Sequence, residues 1–186
     1  MIDPVPQLVL RAALAVLFAA AAVHKLRDVD GFRRALEGYE LLPPLWAVPA
    51  GGILVAVELG IAVGLWMPRV QAAAGIAAAG LLLLYAAAIA VNLLRGRRDI
   101  ECGCFGPARR RPISAALVVR NIILAGAALA SGLPAEPRPL RWMDAITVAA
   151  AVLTIVFLYA AVDGLLAVAG AAEPAAAPFG HEVTHD

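Results

Sequence analysis

VQAAAGIAAAGLLLLYAAAIAVNLL, residues 70–94, carries no Asp, Glu, Lys or Arg. At a rise of about 1.5 Å per residue, a helix over this stretch exceeds the roughly 30 Å thickness of a bilayer's hydrocarbon layer. It lacks the polar–apolar alternation of a barrel strand, and lipid offers no partner for an unpaired backbone amide, so helix is the spanning form expected here. Small residues in AGIAAAG (74–80) suit close helix approach in lipid, although Ala and Gly also abound throughout the chain.

Working outward, the same pattern recurs. Apolar runs cover 5–23, 45–67, 113–131 and 142–169, which with 70–94 predicts about five spans. LLPPLW (41–46) and WMPRV (66–70) bracket the second run, with Trp46 and Trp66 at its ends, where interfacial aromatics are expected. The Pro-rich turn GLPAEPRPLRW (132–142) leads into the fifth run. Composition agrees: 62% of the chain is hydrophobic and 16% charged, against roughly 45–50% and about 25% in soluble domains. The expected fold is therefore all-α, a polytopic transmembrane bundle over residues 1–170, with a four-helix core, a C-terminal helix and a flexible tail at 171–186. The N-terminal MIDPVPQ lacks a basic n-region and the run after it exceeds a typical h-region, so cleavage as a signal peptide is not expected. The formal net charge of +1 gives no sign of nucleic acid, and the lipid bilayer is the partner the composition demands.

The connection RGRRDIECGCFGPARRRP (95–112) holds both cysteines of the chain, Cys102 and Cys104, among six arginines. Two cysteines one residue apart can close a small strained disulfide that is easily reduced, and Gly103 lets the backbone bend. Flanking arginines, with Lys25 if the first connection folds nearby, favour a reactive thiolate. Spacing alone leaves two other readings open: a soft ligand pair for copper or zinc, and two inert thiols. No Cys-x-x-Cys is present, so any thioredoxin chemistry belongs to a partner.

Basic residues set an orientation. Lys25, Arg27, Arg33 and Arg34 in one connection and Arg95, Arg97, Arg98, Arg109, Arg110 and Arg111 in the other lie on one side, against Arg69, Arg138 and Arg141 opposite. The positive-inside rule then places the cysteines in the cytoplasm, whereas disulfide chemistry ordinarily belongs outside it.

Ionisable groups within spans are costly and face partners. Arg11 in the first span and Glu58 in the second fall at similar depth, about 9–12 Å below one surface at 1.5 Å per residue, so an Arg11–Glu58 ion pair is expected. Near the cysteine-bearing surface, Lys25, Asn92, Arg120 and Asn121 are expected to line a polar pocket that stabilises a thiolate or a quinone oxygen; snorkelling to the interface is the alternative for Lys25. The tyrosines, Tyr85 among them, read as interface anchors or packing. His181 and His185 in HEVTHD are spaced for one helical face, but the preceding Pro and Gly disfavour a metal-binding helix. No phosphate-cradling loop or serine-based catalytic motif is present.

HKLRDVDGFRRALEGYELLP after the first span, VELG within the second, CGCFG after the third and VRN within the fourth occur in an order that resembles the MauE (methylamine utilisation protein E) family of DoxX-like, redox-associated membrane proteins. The resemblance covers roughly residues 5–131, and Cys-Gly-Cys-Phe-Gly, ending in Phe105 and Gly106, is its most specific part. It implies a multi-pass protein of the bacterial inner membrane that works with a thioredoxin-like redox partner in maturing disulfide-containing proteins, in the founding case the methylamine dehydrogenase small subunit. Cys102 and Cys104 carry over as the redox pair, with Glu58 as a secondary candidate. No residue pattern establishes a cofactor, a quinone site included. A membrane scaffold for the same partner, or a metal-handling protein, remains the alternative.

Overall fold

In the computed structural model, the described residues are 3–41, 43–97, 113–133, 139 and 141–171. They form six α-helices, with no strand among them: α1 (Pro4–Arg27), α2 (Val29–Gly38), α3 (Ala47–Gly64), α4 (Gln71–Leu94), α5 (Ala115–Ser131) and α6 (Trp142–Ala171). A single 3₁₀ turn, Pro44–Trp46, leads into α3.

Local chemistry explains the boundaries. Asp3 caps α1, its side chain accepting from the Val5 amide at 2.8 Å, and Pro4 occupies the first turn, where a missing N–H costs nothing. Asp28 divides α1 from α2: its amide donates to the His24 carbonyl at 3.2 Å, while its carboxylate accepts from the Gly31 amide at 2.9 Å. The end of α4 is a Schellman motif. Gly96, at φ 75°, turns the chain so that its amide reaches the Leu93 carbonyl and the Arg97 amide reaches that of Asn92, both at 3.0 Å.

Helices α1, α3, α4 and α6 are long and apolar enough to cross a membrane, while α5 is a shorter apolar helix of 17 residues. Together they make the expected helical membrane bundle, and the chain is a multi-pass membrane protein. α5 alone is about 25 Å long, so its crossing draws on flanking residues such as the buried Ile113. α2 was not expected as a helix. It is short and mostly polar, and belongs to the surface of the bundle rather than its interior.

α1, α3, α4 and α5 pack as the core, with α6 alongside α1. Leu14, Ala15, Phe18, Ile61, Ala62, Leu65, Ala74, Ala78, Ala79, Leu81, Leu82, Ala125 and Ala128 form one continuous buried cluster. Close approach depends on small residues: a Cβ on Gly75 would stand 2.9 Å from the Ala128 carbonyl oxygen of α5. α6 exposes Phe157, Leu165 and Ile146, the apolar surface that a bundle presents to lipid.

Candidate functional site

Cys102, Gly103, Cys104 and Phe105, together with His181 and His185, lie outside the described residues, as do most of the expected tail and the arginines from Arg98 to Arg111. The two roots of the cysteine connection are described. At one root Arg97 meets Glu40 at 2.7 Å, tying the end of α4 to the end of α2. Glu40 itself adopts φ 48°, a left-handed conformation uncommon for a residue with a Cβ. At the other root, Ile113 and Leu117 pack on Ile89 of α4, with Tyr39 against them. The connection therefore leaves and re-enters the bundle on the face that carries α2.

Beneath that face lies a buried charged cluster. Lys25 Nζ stands 2.5 Å from Glu58 Oε1, with side-chain exposures of 4% and 0%. Tyr85 donates its hydroxyl to the same oxygen at 2.8 Å. The Lys25 ammonium also lies 5.4 Å from the centre of the Phe32 ring and 5.6 Å from that of Tyr85, within reach of cation–π attraction. Phe32 comes from α2 and fits a notch in α3, where a Cβ on Gly51 would stand 3.1 Å from the ring. Four helices thus supply one site: α1 the cation, α3 the carboxylate, α4 the phenol and α2 an aromatic cover.

This arrangement excludes one alternative and corrects one expectation. Lys25 does not snorkel to the interface; it turns inward to a carboxylate. Arg11 does not pair with Glu58. Its Nε donates to the Ser131 carbonyl at 3.0 Å and its NH2 nitrogen to Gln7 Oε1 at 3.3 Å, while Gln7 Nε2 donates to the Leu133 carbonyl. Arg11 and Gln7 thereby satisfy carbonyls at the C-terminus of α5, where the helix dipole favours a cation.

Asn92 is fully buried and donates Nδ2 to the Ala88 carbonyl at 3.1 Å. Asn121 is buried and donates to the Leu117 carbonyl at 3.0 Å. Each bonds back to its own helix one turn earlier, as polar residues in apolar helices do. Arg120 is half-buried and lies over Tyr159 of α6, 5.4 Å from the ring centre. Outside the spans, the hydrogen bond of Arg33 to Glu37 at 2.8 Å raises the arginine's pKa.

Tyr85 and Phe32 were missed as site residues. Tyr85 carried a signal: a phenol hydroxyl within an apolar run must find a partner at membrane depth. Phe32 carried none, because its role depends on how α2 folds back. Among the described residues, no group of His, Cys, Asp and Glu is arranged to hold a metal.

The sequence pattern of the family described as Methylamine utilisation protein MauE matches residues 4–134. The chain is 40% identical over 179 residues to a methylamine utilization protein MauE of Paracoccus denitrificans, covering 95% of this chain and 96% of that protein. Its likeness to the protein of that name in Methylorubrum extorquens is 41% over 161 residues, covering 86% and 87%. For the Methylophilus methylotrophus protein it is 35% over 167 residues, covering 87% and 86%. No solved structure matches the chain.

Proposed function

That the chain belongs to the MauE family is the premise from which we propose that it serves methylamine utilisation as a bacterial inner-membrane thiol–disulfide exchange protein. Its Cys102–Cys104 pair exchanges electrons with a thioredoxin-like partner during maturation of disulfide-containing proteins. The observation that carries the reading is the Cys-Gly-Cys motif, the whole thiol inventory of the chain, in a connection rooted on the same face as the Lys25–Glu58–Tyr85 cluster.

The exchange balances without a further reagent. The thiolate of one cysteine attacks a disulfide sulfur of the partner, forming a mixed disulfide and releasing a partner thiolate. The second cysteine, as thiolate, then attacks the mixed disulfide, closing Cys102–Cys104 and releasing the other partner thiolate. Two electrons pass to the partner, and the reverse sequence returns them. The arginines around the pair support the thiolate form. The bundle supplies the base: Gly96 and Ile113 fix where the connection begins and ends.

Replacing Cys102 or Cys104 singly by Ser and isolating the chain after acid quenching tests this. One of the two variants accumulates a covalent adduct with a Cys-x-x-Cys protein that dissolves on reduction. Association that is non-covalent and survives loss of both cysteines would instead make the chain a scaffold for that protein.

A further inference from the structure

Two fully buried acceptor atoms have no hydrogen-bond donor among the described residues: Glu58 Oε2 and Asn92 Oδ1. Leaving such a group unmet costs about 1–3 kcal/mol, more when it is charged, and native structures ordinarily meet it with ordered water. A water needs at least two polar partners. Beside Glu58 Oε2 they are present: Lys25 has three N–H donors, and among the described residues one hydrogen bond uses them, that to Glu58 Oε1.

The surroundings of these atoms are one-sided. From Glu58 toward the C-terminus of α3 come Ile61, Ala62 and Leu65, met by Ala78, Leu81 and Leu82 of α4 and by Leu14, Ala15 and Phe18 of α1, with the ring of Tyr85 packed against the edge of that cluster. In the other direction lie Lys25, Tyr85 and Asn92. Ile89 follows Tyr85 by one turn along α4 and precedes Asn92, while Phe32 of α2 lies over the Lys25 ammonium.

We propose that Glu58 Oε2 and Asn92 Oδ1 are ligands of internal water, so that the half of the bundle carrying α2 is hydrated as far as Glu58, where the apolar cluster of Leu14, Phe18 and Leu65 divides it from the polar site of Gln7, Arg11 and Ser131. Glu58 lies about 16 Å along α3 from Ala47, beyond the middle of that 18-residue helix. Water at that depth leaves the apolar cluster beyond it as the dry barrier of this part of the bundle.

Radiolytic hydroxyl-radical footprinting of the full chain in nanodiscs, with the water enriched in oxygen-18, tests this, because a bound water cleaved in place oxidises its neighbours even where bulk solvent does not reach. The rates for Tyr85 and for Phe18, which sits within the apolar cluster, are each normalised to the unfolded chain. The expected result is Tyr85 oxidation several-fold faster than that of Phe18, with heavy oxygen incorporated. The double variant Lys25→Met/Glu58→Leu, which removes both charges at similar side-chain size, should bring Tyr85 down to the Phe18 rate. Equal rates in the unaltered chain would overturn the proposal, and the unaltered chain decides this even if the double variant fails to fold. A Tyr85 rate unchanged in a folded double variant would overturn it as well.

Discussion

α1 carries a cation into each half of the bundle, and the two are met in different ways. At one end Arg11 finds neutral acceptors, the Ser131 carbonyl and the Gln7 amide oxygen. At the other, Lys25 finds a carboxylate, a phenol and two aromatic faces. Arg11 is half-buried and sits where the carbonyls of α5 end, so part of its charge meets a helix dipole that the fold provides anyway. Lys25 lies in the last turn of its own helix, but its side chain turns inward, where Glu58, Tyr85 and Phe32 of three other helices receive it. The first arrangement closes a helix terminus. The second is a dedicated polar site in the half of the bundle from which the cysteine connection extends.

The largest test of that contrast is to remove one partner of the buried pair. Glu58→Gln leaves Lys25 charged and without its carboxylate, and should cost about 3–5 kcal/mol of unfolding free energy, measured by steric trapping in bicelles. Lys25→Met combined with Glu58→Leu should recover most of that loss, since an apolar pair of similar size removes both buried charges. If the single and double variants lose the same amount, the pair is not coupled and the contrast between the two ends fails.

Next in size is packing at the Arg11 end. Gly75→Val places a branched side chain where even a Cβ would stand 2.9 Å from the Ala128 carbonyl oxygen. It should cost about 1–3 kcal/mol through forced separation of α4 and α5, read by the same unfolding measurement. Smaller again is Arg11→Gln, which keeps one donor for the α5 carbonyls and loses the charge, at about 1 kcal/mol. A loss as large as that of Glu58→Gln would mean that the Arg11 end is held by more than a helix terminus.

The smallest effect is expected at the surface. Glu40→Gly releases the left-handed strain at φ 48° but gives up the exposed pair with Arg97. Two terms of about 1 kcal/mol or less oppose each other there, so thermal midpoints in detergent should barely move. A large drop would show that the α2–α4 tie at the root of the cysteine connection matters more than its exposure suggests.

The long helices were legible because an apolar run thicker than a bilayer has few other destinations. α5 was legible in place, but the expected span was longer than the helix, whose last turn ends at Ser131 and whose first follows Ile113. α2 was not legible: its residues read as a charged connection, and only the fold reveals that Phe32 turns under Lys25. The mistaken Arg11–Glu58 pair is the instructive case. Counting residues from the helix ends placed those two level, but the ends of α1 and α3 are not flush: Glu58 meets Lys25, which lies about 21 Å along α1 from Arg11 at 1.5 Å per residue, so Arg11 reaches the end of α5 instead. Lys25 was named as a site residue for its position near the cysteines, and Glu58 for its place in VELG. That the two meet could be learned only from packing.

Whether Cys102 and Cys104 form an exchangeable pair is read by alkylation with a mass-shifting maleimide in intact and permeabilised cells. Both thiols should be blocked until a dithiol reductant is added, react fully afterwards, and become blocked again, two hydrogens lighter, when a mild oxidant replaces it. Two thiols that react before any reduction, and still react after oxidant treatment, would contradict it.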